Sequence, residues 1–147
     1  MVIRLAYLCG EYPRATDTFI QREVAMLRKQ GVKIKSISVR RPNLREQGTE
    51  ELESEREATH YLLPCNLFWL GAVHFKLLLL TPVRYLRSFL TALRIRSPGI
   101  KALIYQLFYF AEAGLVAEYI KKHSLIHIHN HAPDASGYVT ILASKMT

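Results

Sequence analysis

The chain predicts an α/β domain in which helices flank a parallel sheet, and three observations carry that expectation. VIRLAYLC, Val2 to Cys9, is a nearly unbroken apolar run with one charge, the pattern of a strand covered on both faces. VKIKSISVR, Val32 to Arg40, reads as a second strand, and the segment from Gly10 to Gly31 exceeds the roughly dozen residues a parallel crossover needs. A helical periodicity from about Leu67 to His123 then leads into a short strand, LIHIHNH.

Each element has its local reason. In the first crossover Ile20, Val24 and Leu27 share one helical stripe, while Arg22, Glu23, Arg28 and Lys29 are mostly outward. Thr16 or Asp17 can cap this helix, Thr18 and Gln21 have capping-box spacing, and Gly31 stops it. The second strand sets Val32, Ile34, Ser36 and Ser38 on one face against Lys33, Lys35, Ile37 and Val39 on the other.

From Pro42 to Thr59 the chain turns polar, and EQGTEELESERE holds half of its twelve acidic residues, an exposed loop or a short solvated helix. HYLLP, His60 to Pro64, is a short third strand. Two or three helices fit between Leu67 and His123: Thr81-Pro82 starts one with Val83, Leu86, Leu90 and Leu93 on one side, and Ser97-Pro98-Gly99 breaks it. The next pattern runs to Lys121, Lys122 and His123, cations suited to a helix C-terminus, with Tyr105, Phe108, Tyr109 and Phe110 as a core stripe. A last helix is capped around Asp134 or Ser136.

The length of 147 residues fits one domain, with 50% apolar and 22% charged residues, a globular balance. The formal net charge of +8 favours anionic partners: nucleic acid, anionic lipid headgroups or phosphorylated small molecules. Cys9 and Cys65 form no spaced framework and read as reduced thiols of a cytosolic protein. The N-terminus lacks a signal-peptide pattern. The apolar run Leu67 to Leu80 contains His74 and Lys76 and is shorter than the roughly 20 residues of a spanning helix. With Arg84, Arg87, Arg94 and Arg96 following, it fits a membrane-surface segment.

Motifs narrow the chemistry. In open parallel sheets ligands bind outside the carboxyl ends of the strands, so Gly10 to Asp17 is a site by topology. Gly10-Glu11-Tyr12-Pro13 lacks the further glycines of a dinucleotide fingerprint, and no P-loop, nucleophile elbow or zinc-protease motif occurs. Nucleic acid is disfavoured, because no recognition signature accompanies the basic charge. His127, His129 and His131 alternate along a strand, about 6.6 Å apart on one face. No cysteine or carboxylate stands at a recognised companion spacing, so they read as histidines satisfied at a strand end, with no metal expected.

YLCGEYPRATDTFIQREVAMLRKQG resembles the opening "Y-x-x-x-x-F/Y-P-x-x-S-E-T-F-I-x-x-E-x-x-x-L-x-x-x-G" of family 4 glycosyltransferases, with Pro13, Phe19, Ile20, Glu23, Leu27 and Gly31 matching outright. Thr16-Asp17-Thr18 stands in place of Ser-Glu-Thr. IHIHNHAPDASGYVTILASKMT is similar to the "I-H-x-H-F-A" strand and following helix of that family, in particular of its colanic-acid and exopolysaccharide type. The resemblance implies the Rossmann-like N-terminal, acceptor-side domain of a GT-B enzyme spanning residues 1–147, truncated, with the donor-binding C-terminal domain absent and the isolated chain inactive.

The complete enzyme would move a sugar from a nucleotide sugar to a glycan or lipid-linked acceptor, with retention and without cofactor or required metal. It would be cytoplasmic and peripheral on the inner face of the plasma membrane, with no nucleic-acid partner. Gly10, Glu11, Tyr12, Thr16, Asp17, His129 and His131 are the expected acceptor or cleft residues, none of them catalytic. The other reading is a non-catalytic basic α/β domain that binds a membrane surface or a protein partner.

Overall fold

A computed structural model describes residues 3–43, 49–132 and 134–147. The order of elements is β1 (Arg4–Glu11), α1 (Thr18–Lys29), β2 (Lys33–Arg40), α2 (Glu50–Ala58), β3 (His60–Tyr61), α3 (Leu67–Leu80), α4 (Pro82–Ile95), α5 (Ile100–His123), β4 (His127–His129) and α6 (Ala135–Met146). The four strands form one sheet in the order β3-β2-β1-β4, and every pairing is parallel. This is an α/β domain with a parallel sheet and flanking helices, consistent with a Rossmann-like arrangement.

The pleat of β1 divides the core. Ala6 and Leu8, with Ile37 and Val39 of β2, face a large cluster built from α3, α4, α5 and α6. Tyr7 and Cys9, with Ile34, face the smaller cluster under Ile20 and Val24 of α1. Gly31 follows α1 with φ of +86°, the left-handed turn that glycine adopts without strain.

The polar half of β2 is satisfied across the same face as α1. Ser36 Oγ donates to Glu55 Oε1 at 2.6 Å, Tyr12 Oη donates to it at 3.3 Å, and the Arg28 guanidinium pairs with the same carboxylate. Ser38 Oγ accepts from Tyr12 N at 2.9 Å and donates to the Arg40 carbonyl at 2.7 Å. The acidic stretch therefore contains a packed helix: Thr49 caps α2 by accepting from Leu52 N, and Leu52 and Arg56 are buried. The part of that stretch at residues 44–48 lies outside the described residues.

Three helices fill the span from Leu67 to His123. One expectation about them needs correction, on α5. On α4 the buried face carries Ser88 and Ala92, while Val83, Leu86 and Leu90 point out, at 72%, 51% and 49% exposure. Small residues bring α4 close to α6, and buried Ser88 Oγ donates to the Leu142 carbonyl at 2.8 Å. On α5 the aromatic stripe is not core as a whole: Phe110 is buried and Tyr109 half-buried, whereas Tyr105 and Phe108 are exposed, and most of the buried residues of the helix lie between Phe110 and Ile120. By length and composition α5 could cross a membrane, yet 44% of its most apolar window is buried in the domain.

His74 locks this helical layer. Its Nδ1 lies 3.0 Å from Tyr85 Oη of α4 and its Nε2 lies 3.1 Å from the Ala111 carbonyl of α5. A Cβ at Gly114 would come within 2.4 Å of that Nε2. Replacing Gly114 with Ala must therefore displace a doubly bonded imidazole, and Gly114→Ala should lower the stability by about 1–3 kcal/mol in denaturant titration. An unchanged midpoint would show that the ring moves freely.

A pH response is built into the far end of α5. His60 stacks on Tyr119 with centroids 4.2 Å apart, and His123 lies against the same ring at 4.2 Å. Lost hydration, then the charges of His123 and Lys122, hold His60 below its ordinary value; lost hydration, then Lys35 and Lys122, do the same for His123. The unfolded chain then takes up protons first, so the contribution is complete above about pH 6.5 and is lost as pH falls through the lowered folded values. The thermal midpoint should fall from about pH 7 toward about pH 5, and His60→Gln with His123→Gln should flatten that limb.

Candidate functional site

The sheet order places a crossover to either side of β1: the chain leaves β1 toward β2 and arrives at β4 on the opposite edge. Ligand crevices form where strand order reverses in this way. A cleft of about 300 Å³ opens there, lined by Gly10, Glu11, Arg14 and Asp17 from the β1 side and by His131, Asp134 and Ser136 from the β4 side. Cys9, Ile20, Val39, Arg40 and Glu112 also line it.

The near lip is held by Asp17. This residue stands at the N-cap position of α1, but its carboxylate makes no capping hydrogen bond, which corrects the expectation that it caps. The carboxylate instead accepts from Arg14 N at 2.9 Å and from the Arg14 guanidinium at 2.9 Å. The Gln21 side chain does not close a capping box; its Nε2 donates to the Arg14 carbonyl at 2.8 Å. The residues before the helix thus fold back on themselves, and the amide groups of the first turn are left without a side-chain cap.

The far lip is held by Asp134 and Asn130. Asp134 Oδ1 accepts from Ser136 N at 2.8 Å and Ser136 Oγ at 2.6 Å, capping α6. Asn130 Nδ2 donates to the Leu8 carbonyl at 2.8 Å and to Ser136 Oγ at 2.7 Å, tying the end of β4 to β1 and α6. Gly10 sits between the lips; a Cβ there would stand 3.5 Å from Asp134 Oδ2, an ordinary contact, so the backbone does not demand glycine.

The floor carries an unusual carboxyl group. Glu112, buried on α5, is held above the ordinary carboxylate range by burial, with Arg40 pulling the other way from 3.9 Å. Arg40 and Glu112 also line a second, apolar groove of about 620 Å³, walled by Leu63, Pro64, Leu67, Leu70, Phe108 and Leu115, with Arg41 at its rim. The two cavities therefore meet at one ion pair.

Of the residues singled out in the sequence, Gly10, Glu11, Asp17 and His131 come together in the cleft. Tyr12 does not line it; its ring is buried and its hydroxyl turns to Glu55. Thr16 is exposed on the loop before α1. His129 stands behind His131, their rings 4.4 Å apart. Arg14, Arg40, Asn130 and Ser136 carry no motif of their own. Glu112 had a readable signal, a lone carboxylate within the apolar run FAEAGLVA.

The histidine pair has a carboxylate companion after all. Glu23 of α1, His129 and His131 place their ligand atoms within 4.8 Å of one another, the group of this kind found among the described residues. His127, the third of the alternating set, is exposed and stands apart from that group. No family model, no curated protein and no solved structure matches the chain.

Cys9, at the back of the cleft, is no nucleophile: burial, then the charges of Asp17 and Asp134, push its thiol up to about 12. Both cysteines are free, Cys9 buried and Cys65 half-buried. Alkylation of the folded protein at neutral pH, mapped by mass spectrometry, should modify Cys65 and spare Cys9 until denaturant is added; equal labelling of the two would contradict the buried, neutral thiol.

Proposed function

We propose that this chain is the acceptor-side half-site of a GT-B glycosyltransferase acting in polysaccharide assembly on a lipid-linked acceptor, with the nucleotide sugar supplied from a second domain. The observation that carries this reading is the junction of the two cavities. A polar cleft suits the sugar end of such an acceptor, an apolar groove suits its hydrocarbon, and Arg40 stands where the groove meets the cleft, near where the linking diphosphate would lie. The resemblance of residues 7–31 and 126–147 to family 4 glycosyltransferases supports the same assignment. Within it Gly10, Asp17 and His131 contact the acceptor, and no catalytic group is assigned to this chain.

A second reading has its own observation. Phe68 and Trp69 of α3 are 90% and 56% exposed, and with the outward Val83, Leu86 and Leu90 of α4 they leave apolar surface beside exposed Arg84, Arg87 and Arg94. Apolar surface of this extent rimmed by cations fits an anionic bilayer. On this reading the domain docks on a membrane at its cytoplasmic leaflet without handling a sugar.

Flotation with vesicles separates the two. Anionic vesicles should bind the protein in a salt-sensitive manner, and doping them with a prenyl-diphosphate-linked sugar should strengthen binding about tenfold. Gly10→Phe, which fills the cleft and leaves the groove open, should abolish that gain and keep the basal binding. A doped sample no different from the undoped one favours the membrane-docking domain, and no flotation in either overturns both.

A further inference from the structure

We propose that Glu23, His129 and His131 form a binding site for one divalent transition metal of the zinc class, which staples α1 to the end of β4 beside the cleft. Two imidazoles and one carboxylate are a donor set that zinc accepts from protein, with a fourth position left to water or an exogenous ligand. The three ligand atoms lie within 4.8 Å of one another. A tetrahedral zinc site needs neighbouring donors about 3.3 Å apart, so modest side-chain rotation closes the set.

The surroundings fit a cation better than they fit the side chains alone. Nε2 of His129 and Nε2 of His131 are both shielded from solvent, and neither has a hydrogen-bond partner. His131 Nε2 does lie 2.8 Å from Glu23 Oε2, but out of line for a hydrogen bond. A metal ion between them would use both nitrogen lone pairs and the carboxylate at once.

A supporting shell is also in place. Tyr7 Oη donates to Glu23 Oε1 at 2.8 Å, which fixes the carboxylate and leaves Oε2 facing the histidines. The Tyr7 ring lies 4.8 Å from that of His129, and the Phe19 edge meets His131 at 5.4 Å, so aromatic carbon walls the site. Phe19 and Glu23 are one helical turn apart and present the same face of α1 to β4.

The donor set also selects the metal. Magnesium and calcium require six or more oxygen ligands, whereas imidazole nitrogen suits zinc, cobalt, nickel and copper. Because His131 also lines the cleft, the ion sits at its rim and fixes the position of that lip.

Calorimetric titration of the chelator-stripped chain with zinc chloride should give one site per chain and a raised melting temperature, with no response to magnesium chloride. Cobalt chloride should produce the intense visible bands of a four-coordinate site. Glu23→Gln and His129→Gln should each weaken zinc binding by at least about tenfold, and Tyr7→Phe by about tenfold to a hundredfold. His127→Gln, which removes an exposed histidine of the same strand, should leave the affinity unchanged. Should His129→Gln fail to fold, Glu23→Gln on the surface of α1 decides the matter by itself. Absent binding, binding that survives Glu23→Gln, or equal loss in His127→Gln overturns the site.

Discussion

Everything in this domain is arranged around the double burial of β1. Its residues pair with β2 along one edge and with β4 along the other, while Ala6 and Leu8 look into one core and Tyr7 and Cys9 into the opposite one. From Leu5 to Tyr7 the strand is paired on both edges, and its buried backbone groups there are satisfied by those two neighbours. Because those neighbours are parallel, the chain must cross over the sheet on opposite faces to supply them. The gap at the carboxyl end of β1 is the geometric residue of that requirement, and the cleft occupies it.

The two faces solve different problems. The α1 side has a small core, and it closes with charge: Arg28, Glu55, Ser36 and Tyr12 share one carboxylate among α1, α2 and β2. Arg28, Ser36 and Tyr12 each find a partner in that carboxylate, which is what makes their burial tolerable. The α3 to α6 side closes with apolar volume and small contacts, with Ser88, Ala92, Gly114 and Ala143 admitting close helix approach. Tyr85, Phe89 and Ile95 of α4 pack at the edge of this core, while Val83, Leu86 and Leu90 remain on the surface.

Much of the architecture was legible because its signals are local. Gly31 with its positive φ, Pro82 in the first turn of α4, and the Ser97-Pro98-Gly99 break each act through their own backbone, so they mark boundaries without reference to the rest of the fold. The near lip of the cleft was legible by topology. The inward face of α4 was not, because periodicity tells which residues share a side and not which side meets the core. The far lip looked like an ordinary cap, since Asp134 serves α6 and the cleft with the same carboxylate. Glu23 escaped as a partner of the histidines because the two are distant in sequence and joined only by the pairing of β1 with β4.

Glu112 gives the two cavities a common currency of protons. It reaches both, it is half of an ion pair with Arg40, and burial already disfavours its charge. Anything apolar that fills the groove strips more water from this carboxyl group and drives it further toward the neutral form. Arg40 stands at the mouth of the polar cleft and Glu112 at the wall of the groove, so what enters either cavity acts on the same ion pair.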